Sequence, residues 1–115
     1  MAKAAALHHL GIIHQKQGRY DEAVELYRKS LEINEELGNK SGIAITYGQM
    51  GKVFYALKNY KEALRCYLTA FSIFDQLGSP YKDLAGRLIN KLKEEIGDEL
   101  FEEYYNEIVG EMNGG

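Results

Sequence analysis

The 115-residue chain has one cysteine, one proline and no tryptophan. A lone thiol, Cys66, cannot close an internal disulfide and cannot supply a cysteine metal cluster. That favours a reducing, cytoplasmic setting. Long apolar runs are missing as well: none approaches the ~20 residues that a membrane span needs, so no membrane partner is expected. The first nine residues, MAKAAALHH, hold one lysine and an apolar run broken by His8 and His9, which does not read as a signal peptide. Bases are absent from one end. Residues 94–115 hold 8 acids and no lysine or arginine, whereas residues 1–93 hold all 14 bases against 9 acids. The body is therefore mildly basic and the tail acidic, with a net charge of −3. Nucleic-acid binders usually present a denser basic stripe, so no nucleic-acid partner is expected.

What remains is ordinary for a globular chain: 45% hydrophobic and 27% charged residues. A chain of this size buries roughly two-thirds of its unfolded surface. Within it one pattern occurs twice. Gly18–Tyr27 reads GRYDEAVELY, and Lys58–Tyr67, forty positions later, reads KNYKEALRCY. Each has a turn, a Tyr, a small Ala three residues on and a second Tyr four residues after that.

Apolar residues at three- and four-residue spacing predict helices over about 2–17, 20–37, 41–57, 60–77, 80–96 and 99–112. Gly18, Gly38-Asn39, Gly78-Ser79-Pro80 and Gly97-Asp98 supply the stops and starts. Ser79 is an N-cap candidate, with Pro80 at the first helical position. Asn59 with Glu62 resembles a capping box. Residues 113–115 are expected to fray. Six helices, no strand and connections of two to four residues predict antiparallel neighbours stacked as a solenoid segment.

Gly11 and Gly51 fall inside helices, where glycine costs about 1 kcal/mol relative to alanine. Two copies accepting that cost imply a packing reason. The expectation is that they face Ala23 and Ala63, small against small. Leu10 with Tyr27, and Met50 with Tyr67, then fill the flanks, and Tyr20 and Tyr60 staple the turns.

These residues resemble the tetratricopeptide repeat. The signature runs Leu7, Leu10, Gly11, His14, Gly18, Tyr20, Ala23, Tyr27, Ser30, and again Tyr47, Met50, Gly51, Phe54, Lys58, Tyr60, Ala63, Tyr67, Ala70. The usual repeat is ~34 residues with a Pro near its end. Here it is forty, and Glu35 and Asp75 stand where that Pro would be, so the chain is similar to the long-repeat forms. The resemblance implies an all-α, right-handed α–α superhelix of three antiparallel hairpins: repeat 1 over about 2–38, repeat 2 over about 41–78 and a degenerate capping hairpin over about 80–112. An offset of about 38 places Ala85, Leu88, Ile89 and Leu92 inward, with Phe101 replacing the small Ala. Leu100, Phe101, Tyr104, Ile108 and Met112 then form the apolar face of the last helix, and Glu99, Glu102, Glu103 and Glu107 its solvated face. No convincing N-cap precedes Lys3, so the first helix exposes a face that could drive homo-oligomerisation or join a longer array.

The resemblance also implies that the first helix of each pair lines a concave groove that binds a partner peptide. By position the groove takes Ala5, His8, His9, Ile12, Gln15 and Lys16 from the first helix, Ile45, Gln49, Lys52, Tyr55 and Ala56 from the third, and Arg87, Asn90 and Lys93 from the fifth. Its cations suit a partner with some acidic character. The carboxylate clamp of some members is not expected, because only Arg87 among His8, Ile12, Gln49, Asp83 and Arg87 fits it. His8, His9 and His14 lack the i, i+4 spacing of a helical metal pair, and His14 reads as a packed residue. Cys66 reads as a buried, inert thiol. The acids from Glu94 to Glu103 read as a solvated cap rather than a catalytic pair, which would need a cleft to perturb them. The expected job is non-enzymatic protein binding, as an adaptor or scaffold, with no cofactor and no metal.

Overall fold

The alternation of glycine turns and striped segments folds as expected: a computed structural model describes residues 2–114 as six helices. They are α1 (Ala2–Lys16), α2 (Tyr20–Leu37), α3 (Lys40–Ala56), α4 (Tyr60–Leu77), α5 (Tyr81–Ile96) and α6 (Asp98–Gly114). No strand occurs among the described residues. Asn113 and Gly114 continue α6 rather than fraying from it, and Gly115 lies outside the described residues, as does Met1, on which the missing N-cap of α1 turns.

Helix ends are closed by left-handed residues, which let the next amides turn back onto the last carbonyls. At Gly18 (φ 77°) the Arg19 N–H donates to the His14 carbonyl at 2.8 Å. Lys58 does the same without being glycine: its φ is 63°, and the Asn59 N–H donates to the Phe54 carbonyl at 2.9 Å. A Cβ makes that conformation cost ~1–2 kcal/mol. Lys58→Gly is therefore expected to stabilise the fold by about 0.5–1 kcal/mol, once the greater freedom of glycine in the unfolded chain is deducted. A urea midpoint that stays put or falls would contradict this.

Starts are more varied. The Asn39 side chain accepts from the Gly42 N–H at 3.1 Å, and Ser79 Oγ accepts from the Tyr81 N–H at 3.2 Å, so both turns end in a cap. Pro80 already has helical angles. The capping box at Asn59 does not form: its side chain makes no cap bond, and Glu62 instead accepts from Arg65 Nε at 3.1 Å. A charge-assisted bond to an arginine one turn away outcompetes a neutral amide.

Packing revises the role of the two helical glycines. A Cβ on Gly11 would lie 2.6 Å from Tyr27 Cε1, and one on Gly51 would lie 2.5 Å from Tyr67 Cε1. Each glycine is thus roofed by a tyrosine ring, and the expected alanine is secondary: at Gly51 it enters only as the Ala63 carbonyl oxygen, 3.3 Å from that Cβ position. Tyr27, Ala23 and Ala63 are fully buried, and Tyr67 nearly so. Leu10 departs further, being 44% exposed, while its repeat counterpart Met50 is buried against α2 with Ala23, Tyr27 and Leu31. α2 covers Met50; nothing among the described residues covers Leu10 in that way.

The third pair is held differently. α5 and α6 approach each other less closely than α1 and α2 or α3 and α4 do. α6 carries no alanine, and no glycine among the described residues is roofed by an α6 ring. α6 is fastened to α4 as well: Ile108 is buried in one cluster with Leu64 and Leu92, and the rim is charged. Lys61 Nζ lies 3.3 Å from Glu107 and 3.6 Å from Glu111, and Arg65 Nη1 lies 2.6 Å from Glu111. Glu107 is therefore an ion-pair partner and not merely solvated, and Met112, at 59% exposure, is not part of the apolar face.

The hydrogen bond from Arg65 holds the Glu111 carboxyl below its ordinary value of 4.5. A depressed carboxylate contributes its stabilisation above the unfolded value and loses it as the pH falls through the folded one. Protection of α6 amides, taken relative to their intrinsic exchange rates, is expected to fall below about pH 4.5, and with added salt at pH 7, before protection in α2 does. Equal loss of protection in both helices would contradict an electrostatic fastening of α6.

Candidate functional site

Because α1, α3 and α5 are the first helices of their pairs, they share one face, and three recesses follow it. The first, about 420 Å³, lies among Ala5, His8 and His9 of α1, Asn34 of α2, and Ile45 and Thr46 of α3. The second, about 190 Å³, is bounded by Gln49 and Lys52 of α3 and by Tyr81, Leu84 and Leu88 of α5. The third, about 200 Å³, continues past Lys52 and Leu88 to Tyr55 and Lys91, with Tyr67 of α4 also lining it.

Several expected groove residues meet here, and several are already engaged. His8 Nδ1 is 3.1 Å from Thr46 Oγ1, and its ring centroid is 5.4 Å from that of Tyr27. Burial, and then the neighbouring His9, lower its pKa from 6.5, so at pH 7 it brings no charge to the groove. Gln15 Oε1 accepts from the Tyr27 hydroxyl at 2.7 Å. Ile12 packs against the core cluster of Ala23 and Tyr27. His9, Ile45 and Lys52 are exposed. Tyr55 donates its hydroxyl to Glu95 Oε1 at 3.2 Å, and Lys91 Nζ stands 5.7 Å from the centre of its ring. Lys16 and Ala56 are exposed and line none of these three recesses.

On α5 the expected residues need correcting. Arg87 and Asn90 are exposed but line none of the three recesses, and Lys93 Nζ lies 5.3 Å from the centre of the Phe101 ring, on the α6 side. The residues that face α3 are Tyr81, Leu84, Leu88 and Lys91. Buried Ala85 and Leu92 correspond to buried Thr46 and Val53, so the offset is thirty-nine and not thirty-eight. One residue turns a helix face by about 100°, enough to move Arg87 and Asn90 off the groove. The apolar pattern accommodates either offset, so it is the contacts with α3 that single out Leu88 and Lys91. Asn90 also falls, by this offset, where Gly51 stands, which accounts for the looser third pair.

Among the described residues no group of three or more His, Cys, Asp or Glu side chains is arranged to hold a metal. Cys66 is buried, and burial, then the nearby Glu62, push its thiol up to about 12. The His14 ring is mostly covered, as a packed residue would be. Its Nδ1 has no hydrogen-bond partner among the described residues; the Glu22 carboxylate, 3.6 Å away, is too far for one. No helix among the described residues is long and apolar enough to cross a membrane.

Helical hairpins stacked so that their first helices line one recessed face define a helical-repeat solenoid. Residues 3–87 match the tetratricopeptide repeat, and the chain belongs to that family. Such repeats are typically protein–protein interaction modules without catalysis. Among curated proteins the chain is similar to Protein KINESIN LIGHT CHAIN-RELATED 2 of Arabidopsis thaliana, at 31% identity over 84 residues. That match takes in 72% of this chain and 13% of the relative, so the chain spans about an eighth of the relative's length.

Proposed function

We propose that the chain is a non-enzymatic adaptor whose face formed by α1, α3 and α5 holds a segment of a partner protein. The observation that carries this is the continuity of the second and third recesses, which share Lys52 and Leu88 and bring partly exposed apolar side chains beside cations without ion-pair partners among the described residues. A segment with acidic character complements such a face better than a basic one. The test is display selection of random peptides against the folded chain, followed by NMR mapping of a selected peptide. Shifts are expected to concentrate on Ile45, Gln49, Lys52, Leu84 and Leu88, and Leu84→Glu should weaken binding at least about tenfold, the loss of one buried apolar anchor. Shifts confined to the outer faces of α2 and α4 would sink the reading.

A second reading, self-association through the outer face of α1, is favoured by Leu10 at 44% and Ile13 at 50% exposure on the same helix. Sedimentation at high concentration tests it: a strict monomer removes this reading and leaves the first untouched.

A further inference from the structure

Tyr27 and Tyr67 occupy the same place in successive repeats, and each roofs a glycine. Their hydroxyls differ. Tyr27 donates to Gln15 Oε1 at 2.7 Å. The residue forty positions after Gln15 is Tyr55, and its own hydroxyl is given to Glu95 at 3.2 Å. Tyr67 is thereby left without a hydrogen-bond partner among the described residues, although only 2% of it is exposed. A buried hydroxyl with no partner costs about 1–3 kcal/mol where water cannot reach it. This one is not sealed in, because Tyr67 lines the 200 Å³ recess between Lys52 and Lys91. Neither lysine has an ion-pair partner among the described residues, and against the two ammonium groups stands the neighbouring Glu95, already accepting from Tyr55.

We propose that this recess is a carboxylate subsite: the Tyr67 hydroxyl donates to an acidic side chain of the bound segment, and Lys52 and Lys91 flank that side chain. The inference rests on the groove reading above and specifies which group the groove recognises. A hydroxyl donor and two ammonium-bearing side chains lining one recess match the acceptor-only chemistry of a carboxylate. Burial holds the Tyr67 hydroxyl above its ordinary value, so it keeps its proton and remains a donor. We take the carboxylate from within the segment and not from a chain terminus, because the next recess along α3 and α5 shares Lys52 and Leu88 with this one and offers a neighbouring place for the chain to continue. Repeat 1 offers no equivalent subsite, since Gln15 already occupies the hydroxyl of Tyr27.

The test uses the full chain and pools of N-acetylated, C-amidated heptapeptides whose central residue is fixed as Glu, Asp, Gln or Leu. The Glu and Asp pools are expected to be retained over the Gln pool. In the best peptide, Glu→Gln should weaken binding about tenfold, as expected for a hydrogen bond to a charged group. Tyr67→Phe keeps the ring over Gly51, so the urea midpoint should hold while the Glu-to-Gln ratio falls towards one. Lys91→Met should reduce that ratio and flatten its salt dependence. An acid-free peptide with a free C-terminal carboxylate should not recover the lost affinity. Retention of peptides with no acid preference, or a Glu-to-Gln ratio unmoved by Tyr67→Phe, overturns the subsite and leaves the groove reading standing. Equal recovery by the free C-terminus overturns the side-chain assignment. Retention of no pool at all overturns both.

Discussion

Tyr67→Ala is expected to lower the unfolding free energy by about 3–5 kcal/mol, the range for deleting a large buried ring. The ring is 2% exposed, lies over Gly51 and belongs to the cluster that joins α4 to Leu92 of α5 and Ile108 of α6. Removing it opens a cavity at the junction of the second pair with the third. Small domains typically have 5–15 kcal/mol in total, so the loss could take a large share of the fold's stability. Urea unfolding followed by circular dichroism reads the effect. Tyr67→Phe is the control: it retains the ring and should stay within about 1 kcal/mol of the parent, since no intramolecular hydrogen bond is removed. A Tyr67→Ala loss below 1 kcal/mol would mean that the ring is not what holds these helices together.

Gly51→Ala should destabilise as well, against the helix-propensity scale. On propensity alone the change gains about 1 kcal/mol. Packing opposes it. The new methyl would sit 2.5 Å from Tyr67 Cε1 and 2.6 Å from Cδ1, and real Cβ atoms do not approach that closely. The ring cannot swing away freely because it is buried, and behind it the Ala63 carbonyl stands 3.3 Å from the same point. Overpacking of this kind costs typically ~1–3 kcal/mol and occasionally more; contacts this short belong in the upper half of that range, so the packing term wins and the net effect is a loss of about 1–2 kcal/mol. Gly11→Ala should cost less. It meets Tyr27 at 2.6 Å, but its three closest neighbours are all ring carbons and no backbone atom. The opposite side of α1 is open at Leu10 and Ile13, so α1 can yield outward. If Gly51→Ala raises the urea midpoint, the ring-over-glycine reading of these pairs is wrong.

The asymmetry between Gly11 and Gly51 illustrates what the chain's own residues could and could not determine. The six helices, their stops at Gly18, Gly38, Gly78 and Gly97, and the membership of a helical-repeat family were legible in sequence, because each depends on local chemistry or on a pattern occurring twice. Glycine stops a helix through its own backbone freedom, and a forty-residue echo needs no knowledge of what touches what. Even the twofold glycine signalled close packing; only the identity of the neighbour, a tyrosine ring before an alanine, had to come from three dimensions.

The face of α5 was settled elsewhere. Its residues depend on one register step across the Gly78-Ser79-Pro80 turn, and offsets of thirty-eight and thirty-nine both place Ala85 and Leu92 near apolar positions. The choice is made by contacts with α3 and α4, which bury Ala85 and Leu92 together and so turn Leu88 and Lys91, not Arg87 and Asn90, towards Lys52. The Asn59 cap was lost in a similar way, to an arginine that reads as an ordinary surface residue until α6 brings Glu111 against it. Local sequence therefore determined the elements and their order. Tertiary structure decided which side chains share the recess on α3 and α5, because a helix carries a residue every 100° and only its neighbours select the face that is left open.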